Sequence, residues 1–142
     1  LLCDLQADDL ANAERHALRA RDLFPAMPMP AYTLAEVARQ QGRMEECFAR
    51  YDSYLELNPD DAGILNNYAY YLGERHERME QALAMAQRAV ELQPDIANYL
   101  DTYAWLLHLM GRDKEALPLM QKAARLAKDD ETIQQHLKAI QP

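Results

Sequence analysis

Glycine is scarce in this 142-residue chain, with four in all, and phenylalanine and tryptophan are scarcer still, with two and one. That shortage, set against an abundance of Ala, Leu, Glu, Gln and Arg, favours helix over sheet. Two cysteines, Cys3 and Cys47, make neither a disulfide framework nor a metal site. Positive charge is in deficit: 15 Lys and Arg against 23 Asp and Glu leave a formal net charge of −8. Such a surface repels phosphate backbones and excludes nucleic acid as the expected partner. Basic or neutral peptides fit it better, with plain solubility as the alternative reading. No apolar run is long enough to span a bilayer. No initiator methionine opens the chain, so a segment of a longer protein is expected, any leader or anchor lying upstream. Leu1-Leu2-Cys3 faintly resembles a lipoprotein cleavage site, but no charged or apolar leader precedes it.

Catalytic signatures are also missing. There is no glycine-rich phosphate loop, no G-x-S-x-G elbow, no H-E-x-x-H pair and no C-x-x-C. The four histidines, His16, His76, His108 and His136, are scattered along the chain and read as surface or groove residues. Asp101 and His108 share nearly one face of a helix, yet at 1.5 Å rise per residue they stand roughly 10 Å apart along its axis. A dyad needs hydrogen-bond reach, about 3 Å. No catalytic residue, metal ligand or cofactor is therefore expected.

What the chain does contain is a repeat. A proline follows a Leu-x pair at Leu23-Phe24-Pro25, Leu57-Asn58-Pro59 and Leu92-Gln93-Pro94, with the prolines 34 and 35 residues apart. Small residues recur as Ala13, Cys47, Ala82 and Ala116, and again as Ala35, Ala69 and Ala104. Leu65, Tyr68, Ala69 and Leu72 lie at i, i+3, i+4 and i+7, and Leu100, Tyr103, Ala104 and Leu107 repeat the pattern. That spacing makes one apolar stripe per helix. The alanine columns let paired helices approach closely. Gly42, Gly73 and Gly111 read as turn glycines, and Asp60, Asp95 and Asp113 as N-caps. The extra residue of the third unit is placed in its charged turn, Glu74 to Arg78. Pro118, near a helix start, should cause at most a local bend.

These residues resemble the tetratricopeptide-repeat family over essentially the whole chain, in period, alanine columns, turn glycines and terminal prolines. Departures are Tyr54 where a small residue is usual, Lys128 in place of the last proline, and an incomplete first unit. The resemblance implies an all-α, right-handed superhelical array of antiparallel helix hairpins: a partial repeat at 1–27, full repeats at 28–61, 62–96 and 97–130, and a capping helix at 131–141. The stretch from Leu65 to Pro94, followed by Leu100 to Leu126, looks bacterial, and the compartment is left open between cytoplasm, periplasm and envelope.

In that family the first helix of each hairpin lines a concave groove. Carried over residue by residue, the peptide-binding groove would present Tyr32, Thr33, Glu36 and Arg39, then Asn66, Asn67 and Tyr70, then Asn98, Asp101, Thr102, Trp105 and His108. Asn side chains suit an extended peptide backbone, and Tyr70 and Trp105, one repeat apart, suit binding hot spots. Packing within the stack is the alternative for both aromatics. Acidic Glu36 and Asp101 would favour a ligand carrying Lys or Arg. The subfamily that clamps chaperone C-termini is not matched, because only Asn67 fits its pattern and no groove cation faces a carboxylate. The expected function is a protein-interaction adaptor for a peptide or helix. A structural or oligomerisation spacer, or a substrate-delivery segment of a longer enzyme, is the alternative. Leu10, Ala13, Ala17, Leu18 and Leu23 form an uncapped apolar edge, so upstream continuation or self-association through residues 1–24 is expected.

Overall fold

The computed structural model describes residues 7–24 and 27–142. Cys3 and Pro25 lie outside that set, as does the start of the partial repeat expected at 1–27. The described residues form eight helices in order: α1 (Ala7–Leu23), α2 (Pro28–Gln40), α3 (Met44–Leu57), α4 (Ala62–Glu74), α5 (Met79–Leu92), α6 (Ala97–Leu109), α7 (Asp113–Leu126) and α8 (Glu131–Ile140). No strand occurs among the described residues. None of these helices is long and apolar enough to cross a membrane.

The chain divides into two compact units, residues 1–59 and 60–142. In the first, α1 packs on α2 and α2 pairs with α3. Leu34, Ala35, Val37 and Ala38 of α2 are buried, as are Cys47, Phe48, Tyr51 and Tyr54 of α3. Cys47 therefore serves as a small core residue. Burial first, then the Glu36 carboxylate, push its thiol up to about 12, against the opposing pull of Arg39, so it stays un-ionised at neutral pH. In the second unit α4 pairs with α5 and α6 with α7, while α8 packs on α7 and reaches α6. The small columns Ala69, Ala82, Ala104 and Ala116 are completely buried.

Helix ends explain the punctuation of the sequence, with two corrections. After α2, α4 and α6 the same pair of backbone bonds closes the helix. Gly42 N–H donates to Arg39 O and Arg43 N–H to Ala38 O. His76 and Glu77 do the same to Gly73 and Leu72, and Gly111 and Arg112 to His108 and Leu107. This closure places one residue in the left-handed region, φ 77° at Gly42 and Gly111 and 52° at His76. His76, not Gly73, is thus the turn residue of the middle hairpin. Gly73 lies inside α4, where a Cβ would run into Leu106 Cδ2. The additional residue does fall in this turn, which spans four positions between α4 and α5 against three in the other two hairpins.

The N-cap assignments also move. Asp61 and Asp130 are the acidic caps, each accepting from a backbone N–H three residues on, Ile64 and Ile133, at 3.1 Å. Asp60 and Asp95 sit one residue earlier and pair instead with Arg88 and Lys122, at 3.0 and 2.9 Å. Asp113 is the first residue of α7, not its cap. The expected caps at Asp60 and Asp95 fall one residue early, since Asp61 caps α4 and Ile96 stands at the cap position of α6 without a side-chain bond, while the Asp130 cap has no counterpart in the sequence pattern. α7 runs from Asp113 to Leu126 through Pro118 without a break.

Leucine at Ala82 should overpack the junction of α4 and α5. Ala82→Leu is expected to cost about 1–3 kcal/mol, whereas Glu80→Leu on the exposed face of the same helix should cost far less. Thermal melts ranking the two the other way would contradict this packing.

Candidate functional site

The candidate groove residues divide between the two units. In the first, Tyr32 and Thr33 are half-buried. Glu36 is buried, and its carboxylate is held by Arg39, with Nε 3.0 Å from Oε2, and by Gln40 Nε2 at 3.4 Å from Oε1. None of these four lines the largely apolar cavity of about 330 Å³ formed by Met27, Ala31, Leu34, Tyr54, Leu57 and their neighbours. Thr33 alone reaches a second, open cleft, between Ala13, Ala17, Ala20 and Phe24 on one side and Met29 and Pro30 on the other.

In the second unit the groove residues meet. Tyr70 and Glu74 from α4, Thr102 and Trp105 from α6 and His136 from α8 line one cavity of about 90 Å³, floored by Gly73 and Leu106. Repeat spacing sets this up, because Tyr70 and Trp105 occupy equivalent positions on neighbouring first helices. Tyr70 is 40% exposed and stands edge-on to Tyr71 with ring centres 5.8 Å apart. Its hydroxyl donates to Glu74, and this hydrogen bond, followed by burial and the nearby Glu74 and Asp101 charges, pushes it up to about 12. Tyr70 is therefore a neutral donor at any physiological pH.

Asp101 does not face an open groove. It is buried, and its Oδ1 accepts from His136 Nδ1 at 2.7 Å. The His136 ring stacks on Trp105 with centres 3.9 Å apart and planes within 16°. Burial raises the Asp101 carboxyl above the usual carboxylate range, and the His136 hydrogen bond works against that rise. His108 tilts against Trp105 on the other side of the pattern, at 4.9 Å, and its Nδ1 lies 2.7 Å from Asp113. The two residues weighed as a dyad thus have separate partners. Glu36 and Asp101, taken as free acids for a basic ligand, are both engaged within the fold. Asn66 is buried with its Oδ1 unpaired, Asn67 is half-buried and Asn98 is exposed.

Sequence reasoning missed Glu74 and His136 as members of this cluster. His136 could have been found, since it lies 35 residues beyond Asp101, one repeat on. Glu74 carried no such signal. No group of His, Cys, Asp or Glu among the described residues could hold a metal ion.

No family model and no curated protein matches this sequence. Solved structures do match, and they define the class: this is a tetratricopeptide-repeat fold. PilF of Pseudomonas aeruginosa superimposes with a TM-score of 0.82 over 94% of this chain, at 19% identity. The chain spans 60% of that structure. A double mutant of MamA RS-1 matches with a TM-score of 0.79 at 18% identity, covering 92% of this chain and 73% of its own. YrrB, described as "a TPR protein with an unusual peptide-binding site", gives 0.76 at 18% identity over 87% of this chain and 63% of its own.

Removing the His136 ring should strand a buried acceptor. His136→Ala is expected to cost roughly 1–3 kcal/mol and to raise the Asp101 carboxyl further, because the interaction that lowers it is gone. A carboxyl whose folded value is raised contributes stability at low pH that is lost as pH climbs through that value. The penalty of His136→Ala should therefore be larger near neutrality than in mild acid, as thermal melts at the two conditions would show.

Proposed function

We propose that this chain is a protein-interaction adaptor that takes a peptide on the face shared by α4 and α6. The observation that carries this reading is the exposed Tyr70 ring beside Trp105, at the mouth of a cavity that also offers the Thr102 hydroxyl and the Glu74 carboxylate. A large aromatic held on a rigid helix gives contact area with little ordering cost. Asn67 on the same helix adds a donor and an acceptor suited to a peptide backbone. The fold shared with YrrB supports the choice of a peptide ligand. Catalysis has less behind it, since Asp101 is buried behind His136, whose ring is stacked on Trp105 as a wall of the cavity.

Peptides selected from a displayed random library against the chain provide the test. Tyr70→Ala should weaken their capture by about 2 kcal/mol while leaving the far-ultraviolet helical signal unchanged. Capture that survives Tyr70→Ala intact would move the site off this face.

Leu10 and Ala17 of the expected edge are buried, so the second reading, self-association through the α1 edge, is favoured instead by Phe24 and Met29, 56% and 63% exposed on the open cleft, and by Leu23, 66% exposed. Contiguous apolar surface of this kind tends to be covered by a partner. Sedimentation across a concentration series should show a dimer that Phe24→Asp abolishes. A strict monomer at high concentration, with slow amide exchange over residues 9–24, would exclude it.

A further inference from the structure

We propose that the cavity between Tyr70 and Trp105 is a receptor for one basic side chain of the partner, best a guanidinium, with Glu74 as its counter-ion. This deepens the peptide-binding reading and rests on it.

Glu74 is the last residue of α4. The negative end of a helix dipole is the wrong place for a carboxylate, and cations belong there. Among the described residues no cation pairs with it. Arg75 pairs with Glu77 at 2.9 Å, and Arg78 lies over the Tyr68 ring at 5.7 Å. The contact that Glu74 does make is the hydroxyl of Tyr70, a neutral donor that uses one of several acceptor sites on a carboxylate. Every other acid on the rim of the cluster is satisfied: Asp101 by His136 and Asp113 by His108. Glu74 is thus an exposed negative charge in an unfavourable position, at the edge of a cavity with aromatic walls. A residue that breaks a local rule without compensation inside the fold points to function.

The walls fit the same ligand. A cation is attracted to the face of an aromatic ring and not to its edge. With His136 stacked on Trp105, the exposed Tyr70 ring is the face on which a planar guanidinium stacks while presenting its N–H fork to a carboxylate. The Thr102 hydroxyl can accept a further N–H. Gly73 lets α4 pack closely on Leu106 at the floor, where a Cβ would run into Leu106 Cδ2. At about 90 Å³ the cavity holds a side-chain head group and not a stretch of backbone.

Trp105 is the single tryptophan of the chain, so its fluorescence and its indole N–H resonance report on this cavity alone. The full chain is titrated with N-acetyl-arginine methylamide and with the neutral isostere N-acetyl-citrulline methylamide. Saturable perturbation of Trp105 by the arginine probe is expected, with the citrulline probe about tenfold weaker. Glu74→Gln should erase that difference, because the amide still accepts from Tyr70 and preserves the wall while losing the charge. Glu80→Gln, an exposed acid outside the cavity, should leave the preference in place. Equal responses to both probes, a preference that survives Glu74→Gln, or one that Glu80→Gln erases as well would overturn the proposal. The library selection separates it from the broader reading. Selected peptides that need Tyr70 but carry no basic residue would keep the peptide site and overturn the cation receptor. A wild-type arginine preference lost in Glu74→Gln, with no peptide selected, would keep the receptor and remove the peptide groove.

Discussion

Close approach of paired helices is the constraint on which the rest of this structure depends. Alanine or cysteine at Ala35, Cys47, Ala69, Ala82, Ala104 and Ala116 leaves each of these positions wholly shielded from solvent. Small side chains bring the helix backbones together, so that Tyr51, Tyr68, Leu72, Leu100 and Leu107 are buried as well. Interiors packed to this density do not deform smoothly. The side chains flanking the apolar stripe are consequently held at fixed spacings, and a binding surface is laid down by the same contacts that stabilise the hairpins.

Repetition then presents the same stage to different side chains. Asn66, Asp101 and His136 follow one another at intervals of 35 residues, and the structure uses them in three ways. Asn66 is buried with an unpaired oxygen, Asp101 is buried and hydrogen-bonded, and His136 covers Asp101 and braces Trp105. A single repeated address therefore supplies first a polar core residue, then an anchor, then a lid for that anchor. The helix that carries the lid, α8, is short, and its buried contacts centre on Ile133 and Ile140. Its hold on α6 owes much to the ring of His136.

How far the sequence was legible follows from what a repeat repeats. Helix order and the small columns recur at every unit, so period alone locates them, and Leu-x-Pro marks where the second helices end. Single-residue features were less readable. Gly73 was placed in a turn because glycine usually belongs there, but His76 takes the left-handed position and Gly73 answers to the bulk of Leu106. Asp60 reads as a cap from the sequence, but it is the next residue, Asp61, that accepts from the Ile64 N–H. In the candidate site, Tyr70, Thr102 and Trp105 could be named from register because they lie on equivalent helix faces. Register says nothing of which acids find partners, and so Asp101 read as free and Glu74 went unnoticed.

That last difference bears on how charge selectivity can coexist with stability here. Buried acids are costly unless paired, and Glu36 and Asp101 are paired, by Arg39 and by His136. Their charges are largely spent inside the fold, and changing either one would disturb packing before it altered any ligand preference. Glu74 is different in kind. It is exposed, sits at a helix terminus where its charge is mildly unfavourable, and accepts a hydrogen bond from Tyr70. A charge of that sort can be exchanged for a neutral amide at little structural cost. Specificity for a basic side chain would then reside in a residue that the fold does not need, while affinity would reside in the aromatics that the repeat holds in place.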